Sequence, residues 1–216
     1  MSERIDATGV VPGLTIDPGE AVLVLGPPMT GKRPLALALL GASFDADDAA
    51  VVISTTRPVS EALSTLRGAT GVSPRRLRGI DCSRDSAGDQ RGISSVGSPS
   101  DLTGIGMHAD RHLGELADAG YQPRVGLVSV STMLPLSSFR PVYRFLHVLT
   151  GRTTATDSVC VVVLDSEAHD DRVVAAFTSL FDQRVEVREG DDSREARVLD
   201  TSGETGEWRP LVVSEV

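Results

Sequence analysis

The sequence predicts an α/β fold in which a mostly parallel central sheet is flanked by helices and followed by a C-terminal β-hairpin. Short apolar runs alternate with longer amphipathic segments along the chain, which is typical of parallel strands joined by crossover helices. The last two apolar runs are instead separated by a short Gly/Asp/Ser segment, which indicates a hairpin. Because the chain has 216 residues and 40% hydrophobic composition, we expect one domain over residues 1–216.

In the first half of the chain, glycines and helical periodicity delimit the elements. A glycine-containing loop opens the first helix, while Val59, Leu63 and Leu66 share one face of the second. Either Gly68 or Gly71 ends that second helix. The predicted elements are a strand over residues 21–25, a helix over 32–40, a strand over 51–54, a helix over 59–66 and a strand over 77–82.

The second half begins with residues 83–100, which are nearly devoid of apolar side chains and predict a flexible loop. Asp101 is suited to cap the helix that follows. The uninterrupted valines near residue 162 predict a central strand that is buried on both faces. The predicted elements are a helix over residues 101–119, a strand over 125–130, a helix over 140–149, a strand over 159–164, a helix over 171–181, and hairpin strands over 184–188 and 196–199.

One segment has the GxxxxGK spacing of a Walker A loop, which cradles phosphate with backbone N–H groups. A predicted strand precedes it and a predicted helix follows, so the helix N-terminus would face a bound phosphate. Lys32 is the only lysine in the chain. The alternative is a structural glycine turn between strand and helix. We expect ATP or ADP to bind at Gly26, Pro27, Pro28, Met29, Thr30, Gly31, Lys32 and Arg33.

Arg33 stands where a Walker A loop has the Ser or Thr whose hydroxyl binds Mg²⁺. A guanidinium group has no acceptor for a metal, so the sequence argues against Mg²⁺ at this position. Two interpretations of Arg33 stay open. It could hold a nucleotide phosphate in place of the metal, or it could pair with a neighbouring acid and fill the site.

The chain resembles the KaiC-like domains of the RecA superfamily, and most closely a degenerate haloarchaeal group of KaiC-like proteins. The resemblance covers essentially the whole chain and implies a RecA-like P-loop NTPase fold, with self-association as one expected property. It is carried by residues 26–32, 53–58, 98–106, 129–134 and 143–152, and by the closing hairpin.

Three catalytic features of active KaiC-like ATPases are missing at the matching positions. Arg33 replaces the metal-binding hydroxyl, Thr55 and Thr56 stand where that family has a pair of glutamates, and Val128 replaces the Walker B aspartate before Ser129. With metal ligation and water activation both missing, we expect no catalytic residues and no efficient hydrolysis. The resemblance therefore implies a nucleotide-binding or regulatory, partner-binding module.

Two alternatives to this function stay open. Asp165 follows a buried-strand pattern and Glu167 comes two residues later, so an ATPase could use these carboxylates in new roles. The competing interpretation is that Asp165 merely marks the point where a strand meets solvent. A third hypothesis is a structural protein with an empty nucleotide site.

The charge of the chain excludes some partners. A formal charge of −9 argues against broad contact with nucleic acid or anionic lipid, although a local basic patch is compatible with it. No apolar run approaches the ~20 residues of a membrane span, and we expect a cytoplasmic protein with itself or another protein as partner. Cys82 and Cys160 are expected as buried thiols. His108 and His112 have helical i, i+4 spacing, but no third metal ligand is visible.

Overall fold

The computed structural model describes residues 3–86, 88–191, 193–200 and 206–211. Five helices flank the sheet in this part of the chain: α1 (Lys32–Leu40), α2 (Val59–Thr70), α3 (Leu102–Asp118), α4 (Phe139–Ala155) and α5 (Asp171–Thr178). The strands are β1 (Ile5–Asp6), β2 (Thr15–Ile16), β3 (Ala21–Gly26), β4 (Asp48–Ser54), β5 (Leu77–Asp81), β6 (Ile93–Ser95), β7 (Gln122–Val128), β8 (Cys160–Asp165), β9 (Gln183–Glu189), β10 (Arg194–Asp200) and β11 (Arg209–Pro210).

Nine of these strands form one sheet in the order β11-β10-β9-β3-β8-β7-β4-β5-β6, and β1 and β2 form a separate antiparallel pair. All neighbours from β9 to β6 are parallel, while β10 runs antiparallel to β9 and to β11. The predicted α/β fold, with its mostly parallel sheet and C-terminal hairpin, is confirmed. Asp192, in the predicted hairpin connection, lies outside the described residues.

The centre of the sheet is β8, as the valine run predicts. Its side chains alternate between two hydrophobic cores: Val161 and Val163 belong to one, and Val162 and Leu164 to the other. The first core includes apolar residues of α1 and α2, and the second includes those of α3 and α4. Burial on both faces explains why this strand has no polar residue before its last position, Asp165.

The prediction of a strandless loop over residues 83–100 is wrong at one place. Ile93–Ser95 forms β6, which pairs with β5 through the backbone, and a strand held by such pairing has no need for an apolar run. Ala87, within the same predicted loop, lies outside the described residues. Helix α2 ends at Gly71, whose φ of 67° is left-handed, rather than at Gly68.

Other boundaries shift by a few residues. The strand predicted over residues 125–130 ends at Val128, and Val130–Thr132 forms a 3₁₀ turn instead. The last predicted helix stops at Thr178.

Cys82 and Cys160 are free and buried, and burial raises the pKa of each thiol to about 12. No helix in the described ranges has the length and apolar character to cross a membrane.

Candidate functional site

The GxxxxGK loop connects the C-terminal end of β3 to the N-terminus of α1. In the parallel pairing of β3 with β8, Gly26 lies opposite Asp165, so the start of the loop and the end of the central strand are neighbours. Gly31 caps α1 with a φ of 76°, a left-handed conformation that favours glycine. The sheet thus places the loop at its carboxyl edge, where parallel α/β sheets bind ligands.

A close backbone approach requires glycine at Gly26, whereas at Gly31 it is the left-handed φ that favours glycine. A Cβ atom on Gly26 would lie 2.5 Å from the carbonyl oxygen of Val187 on β9, which is too close for any side chain. A Cβ atom on Gly31 would lie 2.8 Å from Nη1 of Arg194. The guanidinium group of Arg194, on β10, therefore lies against the end of the loop. The described residues also pair Arg194 with Glu189, at 3.2 Å from Nε to Oε1.

The ammonium group of Lys32 turns into the loop. It lies 2.8 Å from Oδ1 of Asp165, donates a hydrogen bond to the carbonyl oxygen of Pro27, and lies 3.4 Å from Oγ1 of Thr30. Lys32 is only 4% exposed, while the Asp165 side chain is 27% exposed. A buried ammonium group needs a counter-charge, and Asp165 provides it from the partly solvated side.

Asp165 therefore does more than mark the end of a strand. Its carboxylate contacts the only lysine, and its backbone N–H donates to Oγ of Ser131 at 2.8 Å, which fixes its position. Glu167, by contrast, is exposed in a 3₁₀ turn, and no hydrogen bond or ion pair links it to the described part of the chain. The structure brings one of the two carboxylates to the loop and leaves the other outside.

Arg33 turns away from the loop toward α2. Its Nη1 lies 3.5 Å from Oε2 of Glu61, and Arg57 lies 3.4 Å from the same oxygen. Partial burial lowers the pKa of Arg33, and the Glu61 carboxylate opposes that change. Of the two interpretations of Arg33, this geometry favours pairing with a neighbouring acid. No hydroxyl group is supplied at this position, so the residues present do not fit the Mg²⁺ ion of a Walker A site.

Thr55, at the first of the two glutamate positions, is a structural residue. Its hydroxyl lies 3.0 Å from the carbonyl oxygen of Val128 and 2.8 Å from that of Ser129, and it accepts hydrogen bonds from the Ser129 N–H and the Thr132 hydroxyl. Thr55 is 5% exposed. These contacts hold the turn after β7 against the end of β4. Thr56 is exposed, and neither threonine is a general base.

The remaining loop residues divide by exposure. Thr30 is buried and its hydroxyl donates to the Pro27 carbonyl at 2.8 Å, whereas Met29 has a φ of 68° and is 90% exposed.

The sequence analysis did not identify Arg194 as a residue near the loop, because nothing distinguishes it from the other arginines of the hairpin. Burial lowers the pKa of His169, and the carboxylates of Asp165 and Asp170 oppose that change.

The two histidines predicted at helical spacing lie in different environments on α3. His112 is buried and hydrogen-bonds Ser94, while His108 is half-buried on the same helix, α3. In the described ranges no group of three or more His, Cys, Asp or Glu side chains is placed to hold a metal ion. The pair is therefore part of the helix packing.

Many solved structures are similar to this chain, and two archaeal proteins are among them. The KaiC-like protein PH0186 from the hyperthermophilic archaeon Pyrococcus horikoshii OT3 is 12% identical, with a TM-score of 0.60 over 100% of this chain and 93% of the other. The uncharacterized protein PH0321 from Pyrococcus horikoshii, crystallised in complex with an unknown peptide, is 14% identical, with a TM-score of 0.64 over 85% and 84%. At these identities the likeness shows the fold alone, and it confirms the predicted RecA-like fold.

Comparison of the sequence with known families identifies one family. No curated protein matches the chain. The model of a family of unknown function, DUF7504, matches residues 19–187, which contain the loop, strands β3 to β8, most of β9 and the five helices of the described residues. The chain belongs to this family of unknown function, DUF7504.

Proposed function

We propose that this chain binds a nucleotide such as ATP or ADP in the loop from Gly26 to Arg33, without efficient hydrolysis, and acts as a regulatory or partner-binding module. The observation that carries the proposal is the buried Lys32 ammonium group, 2.8 Å from Asp165 at the end of a glycine loop. A buried lysine held by an ion pair can exchange its carboxylate for a phosphate when a nucleotide arrives.

The loop supplies the other parts of a phosphate site. Its backbone leads directly into α1, whose first N–H groups have no helical partner and attract an anion. Arg194 adds a second cation, since its guanidinium group lies against Gly31. Lys32 and Arg194 together would balance the charge that a metal ion balances in other nucleotide sites.

The absence of efficient turnover follows from the residues at the positions that do chemistry. Phosphoryl transfer to water depends on a positioned base and on charge stabilisation, usually by a metal. Here Arg33 pairs with Glu61, and the Thr55 hydroxyl is taken up by the turn after β7. Neither residue can orient a water molecule or ligate Mg²⁺ in this arrangement.

A nucleotide site without turnover can act by changing how the protein binds another protein, so a protein partner best fits this proposal. The similar protein PH0321 was crystallised with an unknown peptide, which supports peptide binding as a property to test. Self-association, which the KaiC-like resemblance implies, is the other candidate. Light scattering with and without ATP distinguishes a nucleotide-dependent oligomer from a constant monomer. We also propose a cytoplasmic location in an organism with high internal salt, because the acidic, arginine-rich composition suits that solvent.

Calorimetry with ATP and ADP tests the proposal, in both low and multimolar KCl. The natural protein should bind, and Lys32→Ala should weaken binding by about tenfold or more because a charge-assisted contact is lost. Arg140→Gln, which removes an exposed positive charge on α4, is the matched control and should leave affinity unchanged. Equal binding by the natural protein and Lys32→Ala would contradict the proposal, as would no binding at all.

An active ATPase is the second candidate, and the position of Asp165 beside the loop favours it. In that case Asp165→Asn abolishes phosphate release from ATP, while Glu167→Gln shows whether the exposed carboxylate also takes part. Unchanged phosphate release in Asp165→Asn would remove this candidate. Lys32-dependent hydrolysis by the natural protein would replace our proposal with it.

A further inference from the structure

A second candidate site lies at the opposite end of the sheet from the loop. A cleft of about 980 Å³ is bounded by the N-terminal ends of β5 and β6 and by the C-terminal half of α3. The loop at Gly26 follows the carboxyl end of β3, whereas the cleft lies at the amino ends of β5 and β6. The two sites are therefore at opposite ends of the parallel strands. A cleft of this size accommodates a ligand as large as a nucleotide.

The cleft is basic although the chain is acidic. Its charged lining consists of four arginines, Arg75, Arg78, Arg91 and Arg111, and one carboxylate, Glu115, with His112 in the wall. Glu115 is shared, since it lies 3.5 Å from Arg78, 3.8 Å from Arg111 and 3.6 Å from His112. One carboxylate cannot neutralise four guanidinium groups, so the cleft keeps an excess of positive charge within a chain of formal charge −9.

Two of the arginines are held in place. Arg78 is 20% exposed and its Nη1 donates to the carbonyl oxygens of Arg75 and Leu77, at 2.7 and 3.1 Å. Arg111 donates from Nη2 to Oγ of Ser94 at 2.7 Å, and Ser94 in turn lies 2.9 Å from Nε2 of His112.

Ser94 and His112 are 2% and 3% exposed, so the contacts of Arg111 reach into the protein interior. Although the Arg111 side chain is 53% exposed, the two buried partners have little water to exchange with, so their contact fixes one end of the guanidinium group.

The other two arginines are available to a ligand. Arg75 and Arg91 are exposed, and within residues 3–86, 88–191, 193–200 and 206–211 their side chains make no hydrogen bond or ion pair. The cleft therefore combines two fixed guanidinium groups with two that are free to close on a bound anion. One guanidinium group can donate two parallel hydrogen bonds to two oxygens of a phosphate group. The arrangement of arginines in the cleft therefore favours a phosphate ligand.

We propose that this arginine-lined cleft binds a small phosphorylated molecule, at a site separate from the loop that contains Lys32. Phosphate is favoured over a carboxylate ligand because four guanidinium groups around one cavity match a multiply charged group. The cleft is bounded by β6 and α3, and its size favours a small molecule over an extended chain. This inference does not depend on nucleotide binding at the loop.

The test uses inorganic tripolyphosphate as the probe and calorimetry as the readout, with every variant built on Lys32→Ala so that the loop is disabled. Lys32→Ala should bind tripolyphosphate, and adding Arg75→Gln and Arg91→Gln should weaken binding by about tenfold or more. The matched control adds Arg140→Gln and Arg144→Gln, two exposed arginines on α4, and should bind as Lys32→Ala does. Thermal unfolding checks that each variant is folded. The four substituted arginines are exposed, so the double variants should be as stable as Lys32→Ala itself.

Three outcomes would overturn the proposal. Lys32→Ala could fail to bind millimolar tripolyphosphate, or the control pair could lose as much affinity as the cleft pair, which would indicate general charge attraction. Affinity for oligothymidylate could exceed that for tripolyphosphate and rise with chain length, which would indicate a nucleic-acid surface. The difference between the natural protein and Lys32→Ala reports separately on the loop, so failure of one site does not mask the other.

Discussion

Lys32 and Asp165 form an ion pair, 2.8 Å from Nζ to Oδ1, between the end of the glycine loop and the end of the central strand. The pair depends on register, since β3 and β8 place Gly26 beside Asp165. The same carboxylate stabilises the loop through Lys32 and would repel a phosphate. Nucleotide binding therefore requires the lysine to leave one anion for another, which makes Asp165 a competitor of the ligand.

Asp165→Asn should separate these two effects. The amide keeps the shape of the side chain but removes the charge that balances a buried ammonium group, so the free energy of unfolding should fall by about 1–3 kcal/mol. ATP affinity should rise, by about threefold to tenfold, because a repulsive charge is lost. Urea unfolding and calorimetry measure the two quantities. Asp170→Asn, which removes an exposed carboxylate, is the control, and a parallel loss of stability and affinity in Asp165→Asn would refute the competition.

Arg33→Ser should restore the hydroxyl group that a Walker A loop supplies to Mg²⁺. We expect ATP binding by this variant to become tighter when Mg²⁺ is present. The free energy of unfolding should change by less than about 1 kcal/mol, because the pair with Glu61 is partly exposed. Arg57→Ser is the matched control, since Arg57 contacts the same oxygen of Glu61. If both variants gained the same Mg²⁺ dependence, Arg33 would not occupy the position that excludes the metal.

Thr55→Val should destabilise the turn after β7. The substitution keeps the shape but leaves the Ser129 N–H without the Thr55 hydroxyl oxygen that accepts its hydrogen bond, at a cost of about 1–3 kcal/mol in the free energy of unfolding. Thr56→Val, at the exposed neighbour, should change stability by about 0.5 kcal/mol or less. Chemical denaturation of both variants checks the expectation. Similar stabilities for the two variants would mean that Thr55 is not the structural residue described above.

His112 should make the fold sensitive to acid. Burial and the neighbouring Arg111 lower the pKa of His112, although Glu115 opposes them, whereas a histidine in an unfolded chain has a pKa of about 6.5. The unfolded chain therefore binds more protons below that value, and the free energy of unfolding falls as the pH drops from about 6.5 toward the pKa of the folded state. His112→Gln should flatten this fall between pH 7 and pH 5, while His147→Gln, at an exposed position, should not. An unchanged slope in His112→Gln would contradict the assignment.

Much of the fold could be predicted because its central strands are buried on both faces. Burial demands uninterrupted apolar residues, as in Val161 to Leu164, and the helices between them show helical spacing. Strand β6 could not be predicted, because Ile93–Ser95 is held by backbone pairing to β5 and by its place in the sheet. The short strands β1 and β2 could not be predicted either, because a strand of two residues shows no periodic pattern of apolar side chains.

The loop of the candidate site could be predicted from the sequence, but the side-chain contacts around the loop could not. The spacing from Gly26 to Lys32 is local, so the sequence contains it in full. The partner of Lys32 depends on the order of strands, and the partner of Arg33 depends on how α2 packs beside α1. Arg194 reaches Gly31 from a strand more than 150 residues later, and no local pattern marks such a contact.

The Mg²⁺ dependence of ATP affinity in the natural protein tests the central claim most directly. Calorimetry with saturating Mg²⁺ and with EDTA should give the same dissociation constant, because Lys32 and Arg194 supply the positive charge and Arg33 offers no metal ligand. Both values should weaken together in Lys32→Ala. ATP binding that tightens by about tenfold or more with Mg²⁺, accompanied by phosphate release, would contradict a metal-independent site and identify the protein as a working ATPase.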